Sequence, residues 1–188
     1  MSMVELFLLL ASLAAGVLLI AQRRAEWFLV FAWLSYLPLA FLSQARSLDA
    51  RLLAASLGYL ASATILVLSL SSALGRDVRS LRGAVGKYSL EGWLLAFHML
   101  ALAALPPFAN FTWLESLART APEIASALAA VRVSWLLGFS RLAVEAMFAP
   151  PEGGGKLRTR VWPLELFLFV LLTAASLALL VEELGGGA

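Results

Sequence analysis

The sequence predicts an all-α, polytopic membrane protein, a single transmembrane domain over residues 1–188. Three observations predict it. The chain is 62% hydrophobic and only 14% charged, where a soluble domain carries about 25% charge. Its mean hydropathy is +0.90. Finally, about six apolar runs, each near the length of a membrane crossing, are separated by short charged loops.

The same composition excludes several chemistries. With no cysteine, the chain cannot form a disulfide, a thiolate metal site or an iron–sulfur cluster. One histidine, His98, cannot build a histidine-rich metal site or a bis-histidine haem. No cofactor or metal is expected. The net charge of +2 comes mainly from loops of cytoplasmic type, so no nucleic-acid partner is read from it. No nucleophile–base pair, phosphate-binding loop or metal-ligand spacing occurs, and no catalytic site of the chain's own is expected.

The first predicted span covers residues 4–21, whose rise of ~1.5 Å per residue nearly crosses a ~30 Å hydrocarbon core. The leading MSMVE has no basic segment, so this run reads as a span and not as a cleaved signal. Gln22 to Glu26 form a short loop. The second span is 27–42, with Trp27 as an interfacial anchor and Pro38 as a kink. The third, 52–74, carries Ser56, Gly58, Tyr59, Ser62, Thr64 and Ser69, small and hydroxyl residues that suit a helix-packing face.

A basic loop with Arg76, Arg79, Arg82 and Lys87 precedes the fourth span, 90–108. Pro106 and Pro107 lack N–H groups, and their rings clash with the preceding turn, so no straight helix passes through them. Two readings stand open. The prolines end a span at the surface, or they break a helix at membrane depth, where the freed backbone must find protein or water. A short amphipathic helix, 109–119, follows. Pro122 is placed to start the next span, 123–148. A Pro-Gly-rich loop from Pro150 leads to Lys156, Arg158 and Arg160, and the last span is 162–181.

Lysine and arginine counting sets the expected orientation. Loops one, three and five hold nine basic residues: Arg23, Arg24, Arg76, Arg79, Arg82, Lys87, Lys156, Arg158 and Arg160. The other side holds three, Arg46, Arg51 and Arg119. The bias predicts a multi-pass protein of the cell membrane, surrounded by lipid, with both termini outside.

Ionisable groups inside a membrane cost about 2.5–3.5 kcal/mol each on insertion scales and are functional candidates by default. Arg141 and Glu145 are four residues apart on one helix and can pair. They read either as a structural ion pair or as part of an ion path. Arg132 has no partner within its own helix, and Glu115, just beyond the break, is the best-placed carboxylate elsewhere. Glu115 reads equally as a solvated surface group. His98 reads as a neutral ring bonded to a neighbouring helix or as a proton carrier. Tyr36, Tyr59, Ser62 and Thr64 read as packing groups or as the lining of a hydrated path.

The stretch from Asp77 to Glu115 resembles the proton-conducting antiporter-like subunits of complex I, membrane-bound hydrogenases and Mrp cation/proton antiporters, most of all the chain M (chain 4) type. The family loop D-x-R-x-x-x-G-x-x-x-K is matched by Asp77, Arg79, Gly83 and Lys87. The family turn G-x-P-x-x-x-N/G-F is matched by Pro106, Asn110 and Phe111, with Ala104 in place of the glycine. Upstream, Gln22, Arg23, Arg24, Phe28 and Tyr36 fall in register, with Arg23 in place of a lysine. Downstream, Arg141 falls on an arginine that the family keeps.

The resemblance covers the second five-helix repeat of such subunits plus one helix, and implies a chain truncated to that part. It departs at two places. The family's ionisable residue after the turn falls on Leu114, with Glu115 one position further along. The histidine or lysine on the preceding helix is replaced by the apolar and hydroxyl run Gly58 to Ala63. The resemblance implies an accessory subunit of a proton- or sodium-pumping redox complex, packed beside full-length antiporter-like subunits and other integral membrane subunits. Its role would be structural, or it would supply half an ion path through Glu115, His98, Arg132, Arg141, Glu145 and Arg23. Two alternatives are a stand-alone dimeric ion transporter and a scaffold with no ion path.

Overall fold

The structure is a computed structural model that describes residues 2–87, 89–149 and 163–185. The described residues form an all-α polytopic membrane protein. The helices are α1 (Met3–Ala21), α2 (Ala25–Ala45), α3 (Ala50–Leu74), a one-turn α4 (Ala84–Lys87), α5 (Ser89–Leu102), α6 (Ala109–Thr120), α7 (Ala125–Phe148) and α8 (Pro163–Gly185). Short 3₁₀ turns at Val78–Leu81 and Pro122–Ile124 lead into α4 and α7. Among the described residues, four segments suffice by length and composition to cross a membrane: Met3–Ala21, Ala25–Ala45, Ala50–Ser72 and Pro122–Phe148. The loop from Pro150 with Lys156, Arg158 and Arg160, and Trp162 at the start of the last expected span, lie outside the described residues, as does the side chain of Lys87.

Local chemistry starts and stops these helices. Ser2 and Glu5 cap α1 reciprocally: the Ser2 hydroxyl accepts from the Glu5 N–H, and the Glu5 carboxylate accepts from the Ser2 N–H. Asp49 caps α3 through the Arg51 N–H. Pro38 stays inside α2. The apolar run expected to reach residue 108 ends as a helix at Leu102. Pro106 disfavours a helical conformation at the residue before it, and Ala104 turns the chain with φ 55. The Pro106–Pro107 bond is cis.

Helix α1 packs on α2 and α7, α5 on α7 and α3, and α8 mainly on α3. The α1–α7 approach depends on glycine at both faces. A Cβ on Gly16 would strike the Ser134 hydroxyl, and one on Gly138 would come within 2.8 Å of Leu19. The centre is filled by Leu19, Phe28, Tyr36, Trp113, Trp135 and Phe139, all buried. Outward faces are apolar too, as at Phe7, Phe41, Ile65, Val133 and Phe167, which suits lipid in place of water.

Polar links gather at the two ends of the bundle. At one end the loop after α1 pairs with the loop after α3: the Ala25 N–H donates to the Arg76 carbonyl (2.9 Å) and the Val78 N–H to the Arg23 carbonyl (2.6 Å). At the other end Arg46 bridges Glu5 of α1 (2.5 Å) and Glu123 before α7 (2.7 Å). Arg51 reaches Glu182 of α8 there as well (3.1 Å).

Candidate functional site

The break between α5 and α6 lies level with the middle of α2, where Tyr36 sits. Residues Ala101 to Ala104 are buried, so their carbonyls need partners inside the protein. They have them. The Met99 carbonyl accepts from the Ala103 N–H (2.9 Å), and the Ala101 carbonyl from the Ala104 N–H (3.2 Å). Asn110, in the first turn of α6, donates its side-chain amide to the same Ala101 carbonyl (2.8 Å). The Tyr36 hydroxyl donates to the Leu102 carbonyl (2.7 Å). The break is thus buried in the bundle, and protein groups meet its Ala101 and Leu102 carbonyls. Pro106 and Pro107 themselves face outward.

An aromatic stack fills the space beside the break. The rings of Tyr36 and Trp135 lie 3.9 Å apart and nearly parallel, at 3°. Trp113 packs beside both rings, 5.9 Å from Tyr36 and 6.2 Å from Trp135. Phe139 meets Tyr36 edge-on. The Trp113 indole N–H donates to the Ser43 hydroxyl (2.9 Å), which tethers α6 to α2. Among the described residues the Trp135 Nε1 and the Asn110 Oδ1 are buried without a hydrogen-bond partner.

His98 lies on α5, fully buried. Its Nδ1 is 2.7 Å from the Leu94 carbonyl and its Nε2 is 2.9 Å from the Ser62 hydroxyl. A carbonyl only accepts, so Nδ1 carries hydrogen, and the Nε2 of a neutral ring accepts from Ser62. Both nitrogens are thereby used. Next to it, the Tyr59 hydroxyl donates to Thr173 (3.1 Å) and accepts from Ser176 (3.3 Å). These contacts make a polar seam among α3, α5 and α8, shielded by Phe169, whose ring lies 4.9 Å from His98.

Arg141 and Glu145 do pair, at 3.1 Å. The structure adds Arg82 from the basic loop, 3.3 Å from the same carboxylate. Arg141 also donates to the Ile20 carbonyl at the end of α1 (2.6 Å), and the Glu145 carbonyl accepts from the Gly83 N–H (3.0 Å). Gly83 holds φ 64, which favours glycine. The cluster ties α1, α7 and the loop together. Arg23 contributes its backbone carbonyl to this end of the bundle, and its side chain is exposed.

Glu115 and Arg132 are not an ion pair. Glu115 lies 3.7 Å from Arg119, one turn along α6. The Arg132 guanidinium sits 4.6 Å over the ring of Phe111. Leu114 turns inward and is buried, while Glu115 is left on the helix flank. The two residues nevertheless share an open groove of about 420 Å³ between α6 and α7, with Leu114, Ala129, Val133 and Leu136 in its walls.

The candidate residues therefore fall into three separate places: the seam at His98, the end cluster of Arg141 and Glu145, and the lateral groove with Glu115 and Arg132. Sequence reasoning missed the Arg46 clamp, the third member Arg82 and the partnership of Tyr36 with the break. The aromatic residues were visible, but their stacking joins helices far apart in the chain. Among the described residues no group of three acidic or histidine side chains is placed to hold a metal ion.

Comparison with protein-family models and with curated proteins finds no match. Among solved structures, the fold is similar to that of a chain in respiratory complex I from Thermus thermophilus with bound aureothin, with a TM-score of 0.65 and 22% identity. The likeness covers 98% of this chain and 43% of that one. The chain thus spans less than half the length of that relative and shares its fold over this part.

Proposed function

We propose that this chain is an antiporter-like accessory subunit of a redox-driven ion-pumping membrane complex, of the complex I or membrane-bound hydrogenase kind, and that its role there is structural. The observation that carries the proposal is the fold likeness to a complex I chain over nearly the whole of this chain. We infer six crossings with both termini outside, in the cell membrane, and full-length antiporter-like subunits as neighbours.

Three features support a structural role. The break is closed by Tyr36 and Asn110, and aromatic rings pack beside it. Leu114 occupies the inward position where the family resemblance has an ionisable residue. Glu145 is engaged by two arginines, Arg82 and Arg141, in an end cluster that ties α7 to the loop before α4. A mobile proton needs a site that can exist in both states, and none of these groups is arranged for that.

The test is a pull-down of the tagged chain from native membranes in mild detergent, with mass spectrometry of the co-purifying proteins. Recovery of larger antiporter-like subunits together with an iron–sulfur or nickel-bearing arm supports the proposal. Recovery of the chain alone as a stable homodimer overturns it and favours a stand-alone transporter.

A further inference from the structure

The two ends of the bundle treat their arginines differently. At the end that holds Arg46, Arg51 and Arg119, each of the three meets a carboxylate: Arg46 meets Glu5 and Glu123, Arg51 meets Asp49 and Glu182, and Arg119 meets Glu115. At the opposite end Arg23, Arg24 and Arg79 are exposed. Among the described residues no carboxylate comes within salt-bridge distance of any of these three, although Arg76, Arg82 and Arg141 close by are all paired.

The fold gathers these charges from two loops. Arg24 and Asp77 form an antiparallel bridge, fixed by the backbone bonds from Ala25 to Arg76 and from Val78 to Arg23. Residues facing one another across such a bridge have Cα atoms about 5 Å apart. Arg23 and Arg24, after α1, thereby stand beside Arg76 and Arg79, after α3. Two carboxylates share the platform. Glu26 lies 3.5 Å from Arg76. Asp77 accepts the Arg79 N–H (2.9 Å) and so caps the 3₁₀ turn. Four arginines against two carboxylates leave the platform positive. Like charges held this close repel one another and gain from an anion brought to them.

The surrounding surface says which anion. Trp27, in the first turn of α2, is 50% exposed, and tryptophan favours the membrane–water boundary. Exposed Leu18 of α1 and Val30 of α2 open the lipid-facing surface, each within about two turns of the arginines. The arginines therefore sit at headgroup level, where lipid phosphates are the nearest anions.

We propose that this two-loop platform binds the headgroup of an anionic phospholipid. Arg23, Arg24 and Arg79 share the phosphodiester, and Trp27 rests beside the glycerol and the upper acyl chain. Charge complementarity selects this occupant. A choline headgroup carries a cation next to its phosphate and would set that cation against the arginines. The proposal does not depend on which complex hosts the chain, because it is read on the chain itself.

The experiment is native mass spectrometry of the full chain in mild detergent, titrated with phosphatidylglycerol or phosphatidylcholine of matched acyl chains. Phosphatidylglycerol should bind at least about tenfold more tightly, at about fivefold for each arginine engaged, and the preference should shrink as ionic strength rises. The triple substitution Arg23→Gln, Arg24→Gln, Arg79→Gln should bring the two lipids to within about twofold. The same three positions changed to lysine should keep most of the preference, which separates lost charge from lost folding. Arg79→Gln alone should cost about fivefold, because both loops contribute. Arg51→Gln, at the opposite end, should change nothing. A photo-crosslinker at Trp27 should capture lipid in native membranes. Equal binding of the two lipids overturns the proposal, as does a glutamine triple variant that keeps the preference or a lysine variant that binds no better than it. So does an Arg79→Gln variant no weaker than Arg51→Gln. Capture of a protein at Trp27 overturns it too, since the platform would then be a subunit contact.

Discussion

The Tyr36 hydroxyl donates a 2.7 Å hydrogen bond to the Leu102 carbonyl, joining the middle of α2 to the last residue of α5. That bond replaces one that the helix loses where it breaks. Tyr36→Phe keeps the ring stacked on Trp135 but leaves the Leu102 carbonyl unpaired in an apolar setting. The expected cost is about 1–3 kcal/mol. Unfolding of the purified chain in a mixed-micelle titration measures it. A cost within a few tenths of zero would mean that another group reaches the carbonyl.

Ala104 offers a test with a positive sign. It holds φ 55, a left-handed conformation that costs a residue with a Cβ roughly 1–2 kcal/mol. Ala104→Gly relieves this, partly offset by the greater freedom of glycine in the unfolded chain. The expected net gain is up to about 1 kcal/mol. Ala104→Val should lower stability, since a β-branched residue tolerates this region least. The pair of variants moving the thermal midpoint in the same direction would refute the assignment of strain to this turn.

Gly92 is where α5 meets the one-turn helix α4. A Cβ built there collides with the backbone of Ala84 and Val85. Backbone cannot swing aside as a side chain can, so Gly92→Ala should displace α4 and cost about 1–3 kcal/mol. Hydrogen exchange should rise first in residues 76–87, next to the collision, while α1 and α2 stay protected.

His98→Leu separates the structural reading from an ion path. Removing the imidazole strands the Ser62 hydroxyl and loosens the α3–α5 seam. Stability should fall by about 1–2 kcal/mol. Ion coupling of the host complex, measured as ions moved per electron in native vesicles, should be unchanged. A loss of coupling with normal assembly would show that His98 carries protons.

Glu145→Gln removes the carboxylate that faces both Arg82 and Arg141. The groups are partly exposed, so solvent screening limits the loss to about 1 kcal/mol. The clearer readout is local: the loop at 76–83 should become more sensitive to protease. Reversing the partner charges together with Glu145, in a triple variant, should restore protection if charge alone holds the loop.

Much of the architecture is legible along the chain because the bilayer acts on contiguous sequence. A run of apolar residues long enough to hide its backbone polar groups must become a helix, whatever its neighbours are. That is why the all-α membrane class and the break near Pro106 follow from residue types alone, as does the capacity of Arg141 and Glu145 to pair, four residues apart on one helix. Tertiary structure decided the rest. One step of helical rotation, about 100°, put Leu114 inside and left Glu115 in the groove wall. The approach of α2 to α5 chose Tyr36 for the Leu102 carbonyl, a partner 66 residues away. Packing of α3 against α5 engaged both nitrogens of His98. Such pairings depend on how helices turn and how closely they meet, and those are set by side-chain volume across interfaces, which no local stretch of sequence contains.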